Sequence, residues 1–238
     1  MGIFDVFGGR NSLRASGILN GSADCHSHVL AGVDDGVRTI DESLAVLEYL
    51  ESLGVSEVWC TPHVMEDMEN STDVLRSGFR ELTDVYKGPV KLHLAAEYML
   101  DTVFEQRLRE QDLLVSGEDR VLVETSSGTP PVDMMDKLYE LQRAGYTPLL
   151  AHPERYRYLK EKDYENLRHL GILFQLNLPS LLGFYGETVM KKACWLLEKG
   201  HYTCAGSDCH RLGMIVGMYE RKGLSRKCLS SLQNIVKA

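Results

Sequence analysis

The stretch VDMMDKLYELQRAGYTPLLAH, residues 132–152, contains the unit from which the rest of the chain is read. Val132 to Ala144 reads as a helix, and Gly145 is the residue type that ends one, because it enters the left-handed region without a Cβ clash. Tyr146 to Ala151 is a short apolar run of strand length, and it ends in His152. The same unit recurs. A helix near Glu161 to Leu170 stops at Gly171, and Ile172 to Leu176 ends in Asn177. A helix near Gly186 to Lys199 stops at Gly200, and Tyr202 to Ser207 ends in Asp208. Upstream, Thr39 opens a helix with Glu42 three residues on, a capping box. Ile40, Leu44, Leu47 and Leu50 form its apolar stripe, Gly54 its stop, and Val55 to Thr61 a β-prone run ending in Pro62-His63. Leu92 to Ala96 ends in Glu97, and Val121 to Val123 ends in Glu124.

With the opening run at Asp24, this makes seven expected strands, each about 24 to 36 residues from the next, the spacing of βα units. Alternating helices and short apolar strands predict an α/β fold with a parallel sheet covered by helices. A polar residue at each strand's C-terminal end favours a closed (β/α) barrel, whose active site is assembled there from several strands. An open doubly wound sheet places its ligand at one switch point, and no Gly-x-Gly-x-x-Gly or phosphate loop follows the first strand. The expectation is one barrel domain over residues 23–238, preceded by a tail over 1–22 that is polar from Gly8 to Gly21. Ser225 to Val236 reads as a last helix with Leu229, Leu232 and Val236 on one face.

The first strand, Asp24-Cys25-His26-Ser27-His28, has polar residues at i, i+2 and i+4, which on a regular strand face one side. Asp24, His26 and His28 are therefore expected to converge. The other strand ends add His63, Glu97, Glu124, His152, Asp208 and His210, and Asp34-Asp35-Gly36 brings an acid within reach. Imidazoles and carboxylates without a thiolate suit Mn, Fe or Zn in hydrolytic sites. Nine candidates exceed the needs of one ion, so two or three divalent ions with a bridging carboxylate are expected, activating water and clamping attacking and leaving oxygens. Arg155, just past His152, and Arg211, beside His210, are candidates for holding a phosphate oxygen. The remaining histidines, His93, His169 and His201, read as structural.

Composition narrows the class. The chain has 238 residues, 44% of them hydrophobic, and a formal net charge of −8. That charge argues against a nucleic-acid surface, and no apolar run reaches membrane-span length. Met1 to Arg10 lacks the basic region and apolar core of a secretory signal; Val6 stands where a myristoylation signal needs Ser or Thr. A cytoplasmic protein is expected, with Ile3, Phe4, Val6 and Phe7 docked on the body or on a partner, a packed tail being the simpler reading. Cys25, Cys60, Cys194, Cys204, Cys209 and Cys228 form no Cys-x-x-Cys pair and are expected reduced. Neither Cys204 nor Cys60 has an arginine six residues on; His210 and Glu66 stand there, so the cysteine-phosphatase loop is missing.

Taken together, Asp24-x-His26-x-His28, Asp34-Asp35-Gly36, Thr61-Pro62-His63, Glu97-Tyr98, Glu124, His152-Pro-Glu-Arg155-Tyr156, Gln175-x-Asn177 and Ser207-Asp208-x-His210 resemble the polymerase-and-histidinol-phosphatase (PHP) superfamily. More narrowly, they are similar to its bacterial capsule-operon protein-tyrosine phosphatases. The resemblance runs from Asp24 to about His210. It implies a distorted seven-stranded (β/α) barrel and a trinuclear site, usually manganese-supported. His26, His28 and Asp208 would hold one ion, with Glu97 bridging to a second completed by Glu124 and His152. Asp35, His63 and His210 would hold the third. Arg155 matches the family's phosphate-contacting arginine. Met214, Ile215 and Val216 occupy the region of a second family arginine, which leaves Arg211 as the nearest. The implied activity is hydrolysis of phosphotyrosine by a metal-bound hydroxide, on the tyrosine-rich tail of a bacterial tyrosine autokinase that controls polysaccharide export. The alternatives are a small-molecule phosphomonoesterase such as a histidinol phosphatase, and a non-catalytic binding module on the same barrel.

Overall fold

A computed structural model describes residues 11–68 and 70–237. The expectation for Ile3, Phe4, Val6 and Phe7 lies outside these residues. Residues 11–22, expected as a polar lead-in, pack on the body. Ser12 caps a short helix α1 (Leu13–Ser16), Leu13 and Leu19 are buried, and Asn11 pairs with Leu224.

The chain then runs β1 (Ala23–Ser27), α2 (Ile40–Ser52), β2 (Glu57–Cys60), β3 (His63–Val64), α3 (Thr72–Val85), β4 (Lys91–Leu94), β5 (Glu97–Met99) and α4 (Thr102–Glu110). It continues with β6 (Arg120–Glu124), α5 (Met134–Arg143), β7 (Thr147–Ala151), a 3₁₀ turn (Pro153–Arg155), α6 (Glu161–His169), β8 (Leu173–Asn177) and α7 (Leu178–Leu181). The last elements are α8 (Glu187–Glu198), β9 (Cys204–Gly206), α9 (Leu212–Glu220) and α10 (Arg226–Leu232). The helices expected around Gly54, Gly145, Gly171 and Gly200 are α2, α5, α6 and α8. Each of those glycines has a positive φ, so the helix-stop reading rests on the backbone itself. α3 and α4 end without a glycine and so lie outside the helix–glycine–strand pattern, although Ser71 and Asp101 cap their N-termini by accepting from Val74 N and Phe104 N. On α2, Thr39 accepts from Glu42 N, but Glu42 Oε2 accepts from Arg38 N, so the return arm of the expected capping box lands one residue early. Its buried face is Ser43, Val46, Leu47 and Leu50, while Ile40 and Leu44 are only half-buried.

Among the described residues there are nine strands in two parallel sheets, ordered β1-β2-β4 and β3-β5-β6-β7-β8-β9, where seven strands were expected. The extra two arise from interruptions. Thr61-Pro62 separates β2 from β3, and proline has no N–H for a ladder; Ala95-Ala96 separates β4 from β5. Pairing nevertheless passes across both gaps, since Ala95 N donates to Cys60 O and Glu97 N to Pro62 O. β1 also meets the chain after β9: Asp208 N donates to His26 O, and His28 N to Cys209 O. Helices bury Val46, Leu50, Leu82, Phe104, Leu141, Tyr164 and Leu196 against the sheets, and these belong to one continuous core. The C-terminal strand ends are left polar, and they converge.

Candidate metal centre

The cluster begins with two imidazoles on β1 and the residue after it. His26 Nδ1–H donates to Gln175 Oε1 at 3.0 Å, and His28 Nδ1–H donates to Asp34 Oδ2 at 2.8 Å. With both Nδ1 atoms committed as donors, Nε2 is the nitrogen that each ring directs into the same space. The two Nε2 atoms are 3.1 Å apart. Glu97 Oε2 lies 3.2 Å from His26 Nε2 and 3.4 Å from His28 Nε2, and Asp208 Oδ1 lies 3.6 and 3.3 Å from them.

Glu97, at the start of β5, is central. Its Oε2 also faces His63 Nδ1 at 3.2 Å, and its Oε1 faces His152 Nε2 at 3.0 Å. Glu124, ending β6, lies 3.2 Å from His63 Nδ1 and 3.7 Å from His152 Nε2. On the outer side, Asp35 Oδ1 lies 3.3 Å from His210 Nε2 and 3.6 Å from His63 Nε2, while His210 Nδ1–H donates to the Asp208 carbonyl at 2.9 Å.

All nine sequence candidates thus fall into four overlapping groups whose ligand atoms lie within 4.8 Å of one another. These are His26/His28/Asp208, His26/Glu97/His152, His63/Glu97/Glu124 and His28/Asp35/His63/His210. The grouping differs in detail from the one implied by resemblance: Glu124 associates with His63, and His152 with His26. The residues fit divalent ions. Glu97 Oε2 and His63 Nδ1 are buried without an aligned hydrogen-bond partner, although buried polar atoms normally have one. Mixed imidazole and carboxylate donors sharing a central Glu are the chemistry such an ion satisfies.

In the metal-free chain the electrostatics are those of a held proton network. Burial alone would lower the His26 pKa, but the Glu97 and Asp208 carboxylates push it up to about 9. Burial likewise opposes charge on His28 and His63, and the carboxylates around each outweigh it and raise both. Burial would raise Glu97 and Asp208, but the facing imidazoles hold both well below the usual carboxylate range. His210 is lowered, by burial and by His28.

Several residues orient this set. Asp34 accepts from His28 and also from the backbone N–H of Gly36 and His63. Gln175 Oε1 takes the His26 ring N–H and the His152 backbone N–H together. Asp208 Oδ2 accepts from Asn177 Nδ2 at 2.8 Å, Arg155 Nη1 at 2.9 Å and Tyr185 O–H at 3.3 Å, which turns Oδ1 toward the imidazoles. His152 and Asp208 have positive φ angles of 34° and 51°, an uncommon backbone for side-chain-bearing residues, retained where the surroundings over-determine it. Gly36 and Gly206 leave no room for a side chain: a Cβ would meet His28 O at 2.3 Å and His26 Cβ at 2.6 Å respectively.

Asp24 does not join the cluster, contrary to the i, i+2, i+4 expectation. The β1 register shifts between Asp24 and Ser27, so simple alternation fails there. Its Oδ1 instead accepts from Ser207 N at 2.7 Å, and burial pushes its pKa up to about 6. Arg155 is half-buried, bonded to Asp208, with its guanidinium carbon 4.5 Å from the Tyr185 ring centroid. Arg211 is exposed at the N-cap of α9 and lines a groove beside the cluster. His93, His169 and His201 lie outside it; His93 pairs with Glu57 and stacks on Trp59. All six cysteines are free. Tyr185, which touches Asp208 and supports Arg155, has no signal in the sequence; Asp34 and Asp35 are offered alike as acids within reach, and Asp34 holds His28 while Asp35 joins the cluster.

The family model "Capsular polysaccharide synthesis, CpsB/CapC" matches residues 22–232. The chain is 28% identical over 203 residues to the tyrosine-protein phosphatase CpsB of Streptococcus pneumoniae, covering 79% of this chain and 83% of that one. It is 27% identical over 197 residues to the tyrosine-protein phosphatase YwqE of Bacillus subtilis, covering 79% of this chain and 77% of that one. A solved structure from a study of YwqE and CpsB as metal-dependent tyrosine phosphatases superposes with a TM-score of 0.74 at 24% identity, over 91% of this chain and 88% of that one. A lactonase from Listeria monocytogenes shares the fold more loosely, with a TM-score of 0.52 at 10% identity.

Proposed function

Since the chain belongs to the CpsB/CapC family of capsular polysaccharide synthesis, we propose that it is a metal-dependent protein-tyrosine phosphatase. The observation that carries this reading is the convergence of nine imidazole and carboxylate side chains from separate segments, the buried Glu97 central among them, into four overlapping ligand groups. On this reading the two sheets are one distorted seven-course barrel, with β2–β3 and β4–β5 each a kinked course, forming a single domain from residue 23. The protein works in the cytoplasm, and its substrate is a phosphotyrosine-bearing protein, the tail of a bacterial tyrosine kinase.

His26, His28, Asp35, His63, Glu97, Glu124, His152, Asp208 and His210 would hold two or three divalent ions, manganese before iron or zinc, which would supply an activated water and positive charge for the phosphoryl oxygens. The chain's own residues do the rest. Gln175 and Asp34 fix the tautomers of His26 and His28, so that both present Nε2. Arg155 sits on the 3₁₀ turn after β7, held against Tyr185 and Asp208. Its remaining guanidinium N–H groups offer a fork for phosphoryl oxygens. Glu154 anchors that turn, accepting from Asn177 N and Tyr202 O–H. The leaving tyrosinate has a reference pKa of about 10, so a strong general acid is less necessary than for an alkyl phosphate. The chain has no Cys-x5-Arg loop, in keeping with direct hydrolysis without a covalent enzyme intermediate.

Turnover of a phosphotyrosine peptide and of histidinol phosphate by the manganese-loaded protein tests this. A higher kcat/KM on the peptide is expected. A preference for histidinol phosphate would replace the reading with a metabolite phosphatase, and loss-free metal binding without turnover on either would leave a binding module.

A further inference from the structure

We propose that the groove lined by Val37, Arg38, Glu42, Arg211 and Gly213 is a subsite for an anionic side chain flanking the phosphotyrosine, and that Arg38 determines specificity there. The inference rests on the phosphatase reading. The groove has a volume of about 440 Å³, enough for a side chain. Its position follows from the chain path. Asp35 and His210 form the solvent-facing end of the cluster, with side chains 56% and 25% exposed. Two residues beyond Asp35 the chain reaches Val37-Arg38, and immediately beyond His210 it reaches Arg211. Val37 N donates to His28 O, so this wall is tied to the cluster's own strand.

The chemistry of the walls selects the ligand. Arg38 and Arg211 are both exposed, and among the described residues neither side chain forms an ion pair or hydrogen bond. Other exposed arginines among the described residues, such as Arg76 and Arg80, are also unpaired; what sets Arg38 and Arg211 apart is that they share one groove beside the cluster. The one acid in the groove, Glu42, turns Oε2 to the backbone N–H of Arg38 at 2.6 Å. In a chain of net charge −8, two uncommitted guanidinium groups beside the reaction site form a local attraction for a carboxylate or a second phosphate, which they match in geometry. A Cβ at Gly213 would meet nothing within 4 Å, so the groove is open at that point.

The test compares three phosphotyrosine peptides under manganese: neutral flanks, Asp/Glu flanks, and a neighbouring second phosphotyrosine. Arg38→Glu is expected to raise KM for the anionic peptides about five-fold, the scale of exposed charge pairs, with kcat and the neutral peptide's KM within two-fold. Added salt should erase the difference. Gly213→Glu, which adds an acid to the open wall, is expected to act in the same direction. The two anionic peptides tell a carboxylate from a phosphate as the preferred occupant. Equal KM for all peptides in wild type, or equal KM changes on neutral and anionic peptides in both variants, would overturn the subsite while leaving the phosphatase intact. No turnover of any phosphotyrosine peptide by the wild type would overturn both.

Discussion

At the scale of single residues, the site depends on groups that never need touch a substrate. Asp34 holds the His28 ring, the backbone of Gly36 in its own loop and the backbone of His63 at the start of β3 through three accepted hydrogen bonds. Removing such an outer carboxylate typically weakens metal binding about 10–100-fold. Asp34→Ala is therefore expected to lose manganese on dialysis at concentrations the wild type retains, with an unchanged circular dichroism spectrum. Arg155 makes the opposite case. It contacts Asp208 Oδ2, not the oxygen facing the imidazoles, so Arg155→Ala is expected to keep its metal and lose turnover, by about 10²-fold if its donors serve mainly the transition state. Loss of metal in that variant would show instead that Arg155 acts by holding Asp208. A pH prediction follows from His26. Its folded pKa of about 9 stands above the ordinary value of about 6.5. A raised pKa contributes stability fully present below the unfolded pKa and lost as pH rises through the folded one. The chelated protein should thus lose thermal stability from this group between about pH 6.5 and 9, and manganese binding near pH 7.5 should release protons, measurable by calorimetry in buffers of different ionisation enthalpy.

At the scale of elements, the legible signals were the ones with a single physical cause. Glycines 54, 145, 171 and 200 ended helices because the backbone there turns to positive φ, and the residues after the next apolar run landed at the mouth of the sheets. The kinks were not legible in the same way. Pro62 marks the end of β2 in the sequence but not the resumption of pairing at β3, and nothing in Ala95-Ala96 marks the second break, because a break in pairing between two small apolar residues is decided by the neighbouring strands. Asp24 failed for a related reason: alternation holds only while the register does, and it shifts within β1. α3 and α4 are surface helices whose capping residues were present but did not follow the helix–glycine–strand unit. Close packing at strand ends yields a further expectation. Gly206→Ala forces a Cβ to 2.6 Å from the His26 Cβ and 2.7 Å from its backbone nitrogen. Overpacking of this kind costs about 1–3 kcal/mol, so a lower melting temperature and a lower manganese content are expected together. A variant with wild-type melting and metal content would mean that β9 can move away from β1 without disturbing the cluster.

At the scale of the whole molecule, the candidate site was more legible than the architecture that builds it. Eight of the nine candidate ligands could be named because ligand-type residues recur at strand ends, a pattern that ordinary packing does not require, while Asp35 was singled out from Asp34-Asp35 only by the family resemblance. Of the residues that orient them, Gln175 and Asn177 stand in the quoted Gln175-x-Asn177 motif, but their bonds to His26 and Asp208, and the part of Tyr185, become visible only when β8 and the chain after α7 are brought beside β9. Long-range placement of this kind has no local signature. The described residues contain no helix long and apolar enough to cross a membrane.

On the proposed function, the nine-residue cluster is a metal centre that serves phosphotyrosine hydrolysis. The most direct test is elemental analysis of the purified protein alongside hydrolysis of a phosphotyrosine peptide, with and without added Mn²⁺ and chelator. Two or three ions per chain, with turnover abolished by chelator and restored by Mn²⁺, is the predicted result. No bound metal and no activity after Mn²⁺ is added would contradict it.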